Sequence, residues 1–157
     1  MIDRIDKKIL EILQSNARIS NQELAEKVSL SPTPCLRRVA ILEEKGFIQR
    51  YVSLLDPKKL GLSLQVMILV GLDNHPETTL KHFEKAIDSL PEVIQCYLIA
   101  GQKADYLLKV VMPDMDYYQK FLLKKLVSIK GVNSVQSSFI LRNIVDKTAL
   151  PLVHINA

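Results

Sequence analysis

Apolar residues in the first fifteen positions recur with a helical period: Ile5, Ile9, Ile12 and Leu13 stand at i, i+4, i+7 and i+8. This spacing predicts a helix from about Asp3 to Ser15, with Asp3 and Asp6 at the end where carboxylates suit the helix dipole. A second apolar stripe, Leu24, Ala25 and Val28, follows Ser20 and Glu23, whose three-residue separation is a capping box. Ser29-Leu30-Ser31 breaks that helix. Ser31 is placed to cap a third one, whose prolines Pro32 and Pro34 fall where helix N–H groups have no partner anyway. Cys35, Val39 and Leu42 share one face of this third helix, with Leu36 beside them, and Gly46 supplies the left-handed stop.

Beyond Gly46 the period changes. Phe47 to Leu55 reads as one extended strand, followed by a linker, Asp56-Pro57-Lys58-Lys59-Leu60-Gly61. No return strand follows to make a hairpin, so this strand is expected to pair outside its own domain, most simply with a second copy of the chain. Leu62 to Leu72 is nearly continuous apolar sequence and predicts a strand buried on both faces. A helix over 76–90, strands over 93–100 and 105–112, a helix over 114–129 and a strand over 132–141 complete a βαββαβ order, the split arrangement of ferredoxin-like domains. The fold class is α+β: a helix-turn-helix domain over 1–50, a strand and hinge over 51–61, and a ferredoxin-like domain over 62–157. Two helices cover one face of a four-stranded sheet. The apolar second face of the first strand (Met67, Leu69) therefore calls for a partner sheet, and a homodimer is the economical solution.

Composition narrows the class. No stretch reaches the roughly 18 apolar residues of a membrane span, and the amino terminus has no signal-peptide core, which points to a cytoplasmic protein. Cys35 and Cys96 both sit in apolar stretches and read as reduced, buried thiols. His75, His82 and His154 have no metal-ligand or triad spacing and read as surface residues; there is no Gly-rich phosphate loop. No metal, cofactor or enzymatic activity is expected. The net charge is +4, and residues 1–61 carry 11 Lys/Arg against 8 Asp/Glu, so the excess lies on the helical half. That surplus is too small to indicate nucleic acid unaided.

Two helices joined by a tight turn form the unit that lays its second member in the major groove of double-stranded DNA. Thr33, Pro34 and Arg37 occupy the outward, amino-terminal part of that helix. Arg37 suits a bidentate guanine contact, and Thr33 a base edge or a thymine methyl. Arg38 on the flank, and Ser20, Asn21, Gln22 and Ser31 at helix starts, suit phosphate oxygens.

Taken together, IDRIDKKILEILQSNARIS, ELAEKVSLSPTPCLRRVAILEEKGFI, the DPKKLG linker and DYLLKVVMPDM resemble the Lrp/AsnC family of feast/famine transcriptional regulators over essentially the whole chain. The resemblance implies DNA-binding domains hinged to dimerising α/β domains, dimers assembling further, often to an octamer, and an amino-acid effector, leucine or methionine by the apolar surroundings. The effector site it implies includes the loop Gly101, Gln102, Lys103, Ala104 and Asp105, with Asp105 receiving the α-amino group. Tyr97, Met115 and Ser138-Phe139-Ile140 match further positions near the effector. The loop departs from the family pattern, having three residues instead of two between glycine and acid, among them Lys103. The alternative to a DNA-binding regulator is an amino-acid-sensing module that controls an enzyme by protein contact.

Overall fold

The computed structural model describes residues 2–101 and 103–155; Gln102 therefore lies outside the described residues. The chain forms two compact units, Met1–Leu54 with Ile144–Ala157, and Leu55–Asn143.

The first unit contains α1 (Arg4–Ser15), α2 (Asn21–Lys27) and α3 (Pro32–Glu44). Ile9, Leu24, Ala25, Val28, Cys35 and Leu42 are buried together as its core. The expected capping box forms at α2, where the Ser20 hydroxyl accepts from Glu23 N–H, and a second one forms at α1, where the Asp3 carboxylate accepts from the Ile5 and Asp6 N–H groups. Ser29 takes a left-handed backbone (φ 59) and turns the chain, and Leu30 N–H closes the turn on the Ala25 carbonyl at 2.9 Å. Ser31 sits at the N-cap of α3, but its hydroxyl makes no capping bond. The cause is the proline pair: Pro34 occupies the third helical position and has no N–H for the hydroxyl to take. Gly46 (φ 73) ends α3, and Phe47 N–H returns to the Leu42 carbonyl at 2.9 Å.

Two features of this unit differ from expectation. Residues 49–56 form no strand within the chain, and Val52 and Leu54 are exposed. A strand exists only where its N–H and C=O groups find a ladder partner, and none of the described residues supplies one. The carboxy-terminal segment from Ile144, assigned by its position in sequence to the ferredoxin-like domain, instead packs with the helical unit. The Gln14 amide explains this: it accepts from Leu150 N–H at 2.6 Å and donates to the Leu150 carbonyl at 3.3 Å, while Lys7 Nζ donates to the Ile155 carbonyl at 3.1 Å.

The second unit contains β1 (Leu64–Leu72), α4 (Glu77–Asp88), β2 (Val93–Leu98), β3 (Tyr106–Met112), α5 (Met115–Phe121, running on as a π-helical stretch Leu122–Leu126) and β4 (Val132–Phe139). The sheet is antiparallel throughout, in the order β2-β3-β1-β4 expected of a ferredoxin-like domain. One face is fully buried: Val66, Ile68 and Val70 of β1 and Leu108, Val110 and Met112 of β3 pack against Phe83, Ile87, Phe121 and Leu126. Met67, Leu69, Leu107 and Val111 alternate onto the other face and are half-buried. Cys35 is buried as expected, whereas Cys96 is exposed, because edge strand β2 has a neighbour on one side only.

Candidate nucleic-acid interface and effector site

In α3, Cys35 and Leu42 turn inward, and Thr33, Pro34, Leu36 and Arg37 are exposed at the amino-terminal end. Leu36 was expected beside the inner face. It is 58% exposed and lies on the outer surface with Thr33 and Arg37, adding an apolar group of the kind that touches a thymine methyl. Its place within about 60° of Thr33 on the helical wheel is the available signal.

The two arginines divide. Arg37 makes no ion pair among the described residues, whereas Arg38 donates to Asp3 Oδ2 at 2.6 Å and to Asp6 Oδ1 at 2.7 Å. The Asp6 N–H and then the Arg38 guanidinium hold the Asp3 carboxyl below its usual range; the same carboxylates raise the affinity of Arg38 for its proton. Arg38 is thus a tie between α3 and the start of α1, not the free phosphate-facing cation expected. Asn21 is similarly engaged, its amide donating to the Pro32 carbonyl at 2.8 Å across the turn. Ser20 serves Glu23. Gln22 and Ser31 are exposed and open to a partner.

The expected effector residues fall at two ends of the sheet. At one end, Asp105 N–H bonds the Val70 carbonyl at 2.9 Å, and its carboxylate Oδ2 accepts from Leu72 N–H at 2.7 Å. Gly101 (φ 87) and Lys103 are exposed in the same loop, and Ala104 is half-buried. At position 71 it is β4 that comes close: a Cβ there would lie 2.5 Å from Ser134 Oγ, while the Lys103 carbonyl of the loop, at 3.6 Å, would be at ordinary contact distance. Tyr97 is exposed on the open sheet face, opposite Leu107 in the register.

At the other end, Ser138 pairs with Met67 and Phe139 with Val66, and Ile140 N–H bonds the Gln65 carbonyl at 3.0 Å. The Phe139 ring packs edge-on against Tyr118 at 5.2 Å. Met115, 52% exposed, opens α5 just after Met112, which pairs with Leu64. At ~3.3 Å per residue, the five steps from Met67 to Leu72 separate the two groups by roughly 17 Å. One chain therefore does not assemble them into a single pocket. A cavity of about 710 Å³ between α4 and β2, lined by Lys81, Glu84, Lys85 and Cys96 among others, contains none of them except by proximity to Leu98 and Tyr106.

One residue at the Asp105 end was not anticipated. His75, on the loop after β1, places Nε2 2.7 Å from Asp105 Oδ1. Thirty residues separate the two in sequence, and no local motif marks the contact.

A three-helix unit presenting a free helix face, joined in one chain to a ferredoxin-like domain, defines a DNA-binding protein with an attached ligand-binding domain. The chain belongs to the Lrp/AsnC family of transcriptional regulators: residues 65–150 match the Lrp/AsnC ligand binding domain and residues 2–49 a winged helix-turn-helix DNA-binding domain. No strand forms among the described residues of that second match, so the helices occur there without a wing. The leucine-responsive regulatory protein of Escherichia coli (strain K12) is 43% identical over 143 residues, 91% of this chain and 87% of that protein. A transcriptional regulator of Neisseria meningitidis, solved as a complex with L-Met, is 41% identical with a TM-score of 0.94 over 98% of this chain and 99% of that one. An AsnC family regulator from Agrobacterium tumefaciens is 39% identical with a TM-score of 0.92 over the same shares of the two chains.

Proposed function

We propose that this regulator reads its operator with Thr33, Leu36 and Arg37 of α3 and responds to an aliphatic or thioether amino acid, leucine or methionine, through the Asp105 loop. The observation that carries the first half is the contrast between the two arginines: the Arg38 guanidinium is spent on Asp3 and Asp6, and Arg37 stands clear on the outer face. Pro34 shapes the approach of that end, with Gln22 and Ser31 contacting phosphates. Ser20, Asn21 and Arg38 act by holding the helices in place.

For the effector, Asp105 offers a carboxylate fixed by a backbone N–H and accessible on its outer oxygen, a receptor for an α-ammonium group. Gly101, Gln102, Lys103 and Ala104 supply the loop around the carboxylate end of the ligand, with Tyr97 beside it. The Neisseria relative's complex with L-Met supports this ligand class. Met115 and Ser138-Phe139-Ile140 belong to the same site through a second chain, since a single chain leaves them at the opposite end of the sheet. The homodimer follows from the half-buried second sheet face and the unpaired 49–56 segment, and assembly of dimers to an octamer brings the two half-sites together. The protein then acts on chromosomal DNA in the cytoplasm.

Isothermal titration of the full chain with L-leucine and L-methionine, beside anisotropy titrations on its own promoter DNA, tests the reading. Saturable heat with either amino acid, abolished by Asp105→Ala with DNA binding retained, is the expected result. Sequence-blind DNA binding unaffected by Arg37→Ala would instead favour control of an enzyme by protein contact.

A further inference from the structure

We propose that His75 is part of the effector site, where its imidazole occupies the Asp105 oxygen that the ligand's α-ammonium takes, so that effector and proton compete for one carboxylate. This rests on the effector role of Asp105 argued above.

The two oxygens of Asp105 are not equivalent. Oδ2 is turned inward and takes the Leu72 N–H at 2.7 Å; Oδ1 takes His75 Nε2 at 2.7 Å. The Asp105 side chain is 20% exposed and that of His75 63%, so the inner bond belongs to the framework and the outer one to solvent. The backbone of Asp105 is pinned on both sides, N–H to Val70 at 2.9 Å and carbonyl from Ile99 N–H at 2.8 Å, and the Leu72 N–H on Oδ2 holds the carboxylate with Oδ1 outward. A carboxylate only accepts, hence Nε2 carries the hydrogen, as it does in both the imidazolium and one neutral tautomer. The exposed ring is held by this one contact among its described hydrogen bonds and is free to rotate away. An ammonium arriving at Oδ1 meets a weak neutral donor when the ring is neutral and a like charge when it is protonated. Binding therefore expels either the ring or its proton.

The charged and titratable groups of the surrounding elements are Asp73 on the same loop, Lys103 in the 101–105 loop, Glu77, Lys81, His82, Glu84, Lys85 and Asp88 on α4, Tyr106 and Lys109 on β3, and Lys130 in the turn before β4. Of these only His82, which is exposed, is a second imidazole. The ligand's own amino and carboxyl groups do not titrate in the mildly acidic to neutral range.

The test is isothermal titration of the full chain with L-methionine and L-leucine at pH 5.5, 6.5 and 7.5, each in two buffers of different ionisation enthalpy. In the native protein affinity should fall by up to ~10-fold per pH unit toward pH 5.5, with proton release on binding. His75→Gln keeps an amide donor in reach but cannot ionise. Its affinity should be flat across the range, at or above the native value at pH 7.5, with no buffer-dependent heat. His82→Gln should keep the native profile. A native-like pH slope in His75→Gln overturns the proposal and leaves the effector site standing. So does a uniform loss of affinity in His75→Gln at every pH, which would make the ring scaffold only. Absence of heat from both amino acids in the native protein overturns the effector reading itself, and this proposal with it.

Discussion

Arg38 and Asp6 are joined by a 2.7 Å ion pair that ties α3 to the first turn of α1, and the neighbouring Arg37 has no such tie among the described residues. Adjacent, chemically identical side chains are therefore engaged differently within the fold. Arg37→Ala is expected to weaken binding to the specific operator by about 1–3 kcal/mol, with the melting temperature unchanged. Arg38→Ala should lower stability instead, by about 0.5–1 kcal/mol for a pair this exposed. Fluorescence anisotropy on operator and scrambled duplexes, with thermal melting of both variants, separates the two effects. Equal operator losses from the two variants without a change in melting would refute the division of roles.

Gly71 and Ser134 make a second, sharper prediction. A methyl group at position 71 would meet the Ser134 hydroxyl at 2.5 Å but the Ser134 Cβ only at 3.8 Å. Gly71→Ala should therefore cost about 1–3 kcal/mol as overpacking. In a Ser134→Ala background the clash is gone, and the cost should fall below ~1 kcal/mol. A denaturant-unfolding double-mutant cycle measures the difference; additive costs would show that the backbone, not the hydroxyl, is the obstacle.

Much of this architecture was legible in the sequence because it is local. The stripe Ile9, Leu24, Ala25, Val28, Cys35 and Leu42 is a matter of helical period, and the alternation Val66, Ile68, Val70 of strand period; both appear in the core as read. What escaped is non-local. The Arg38 pairs span 35 and 32 residues, the His75 contact 30, and the Gln14–Leu150 pairing 136. No window of sequence contains both partners of any of these. Residues 47–55 were read as a strand on pattern alone, which cannot say whether a ladder partner is present.

The tail offers an inexpensive check on that longest pairing. Gln14 holds Leu150 by two hydrogen bonds, and Leu150 itself is 71% exposed, so little apolar burial reinforces the contact. Gln14→Ala should increase the rate of proteolytic cleavage after residue 144 several-fold while leaving global stability within ~1 kcal/mol. Limited proteolysis followed by mass spectrometry reads this directly. An unchanged cleavage pattern would mean that the tail is held by something other than the Gln14 amide.

Stability should fall in acid, and the sign follows from three carboxylates. The Asp6 N–H and Arg38 hold Asp3 below its ordinary range, and the Ser20 N–H and hydroxyl do the same for Glu23. At Glu92 burial opposes the charged form, but Lys125, a backbone N–H and Tyr117 outweigh it and lower the pKa. Groups whose folded pKa is depressed bind protons more readily when unfolded. Their contribution is complete above the unfolded carboxyl range, near pH 4, and is lost as pH falls through the lower folded values. Melting temperature should be flat with respect to these groups from pH 5 upward and drop below pH 4. Asp3→Asn should flatten part of that drop; a drop of unchanged size in Asp3→Asn would remove Asp3 from the account.

The exposed segment after α3 bears on assembly. Val52 is 62% exposed and Leu54 72%, in a stretch whose backbone N–H and C=O groups have no ladder within the chain. An exposed extended segment with apolar side chains of this kind is a template for antiparallel pairing, and the dimer proposed above would pair it with the same segment of a second copy. Placing two carboxylates on each copy sets four like charges along the shared ladder without touching either core. Val52→Asp with Leu54→Asp should therefore convert a dimer or larger particle to monomer at micromolar concentration in light scattering, with the helical content of the far-ultraviolet spectrum preserved. The monomer should then bind its operator more weakly than the native protein, because two linked recognition helices gain from effective concentration and one does not. An assembly of undiminished mass in the double variant would exclude this segment from the interface and leave the half-buried sheet face, Met67 and Leu69 with Leu107 and Val111, as the surface to test next.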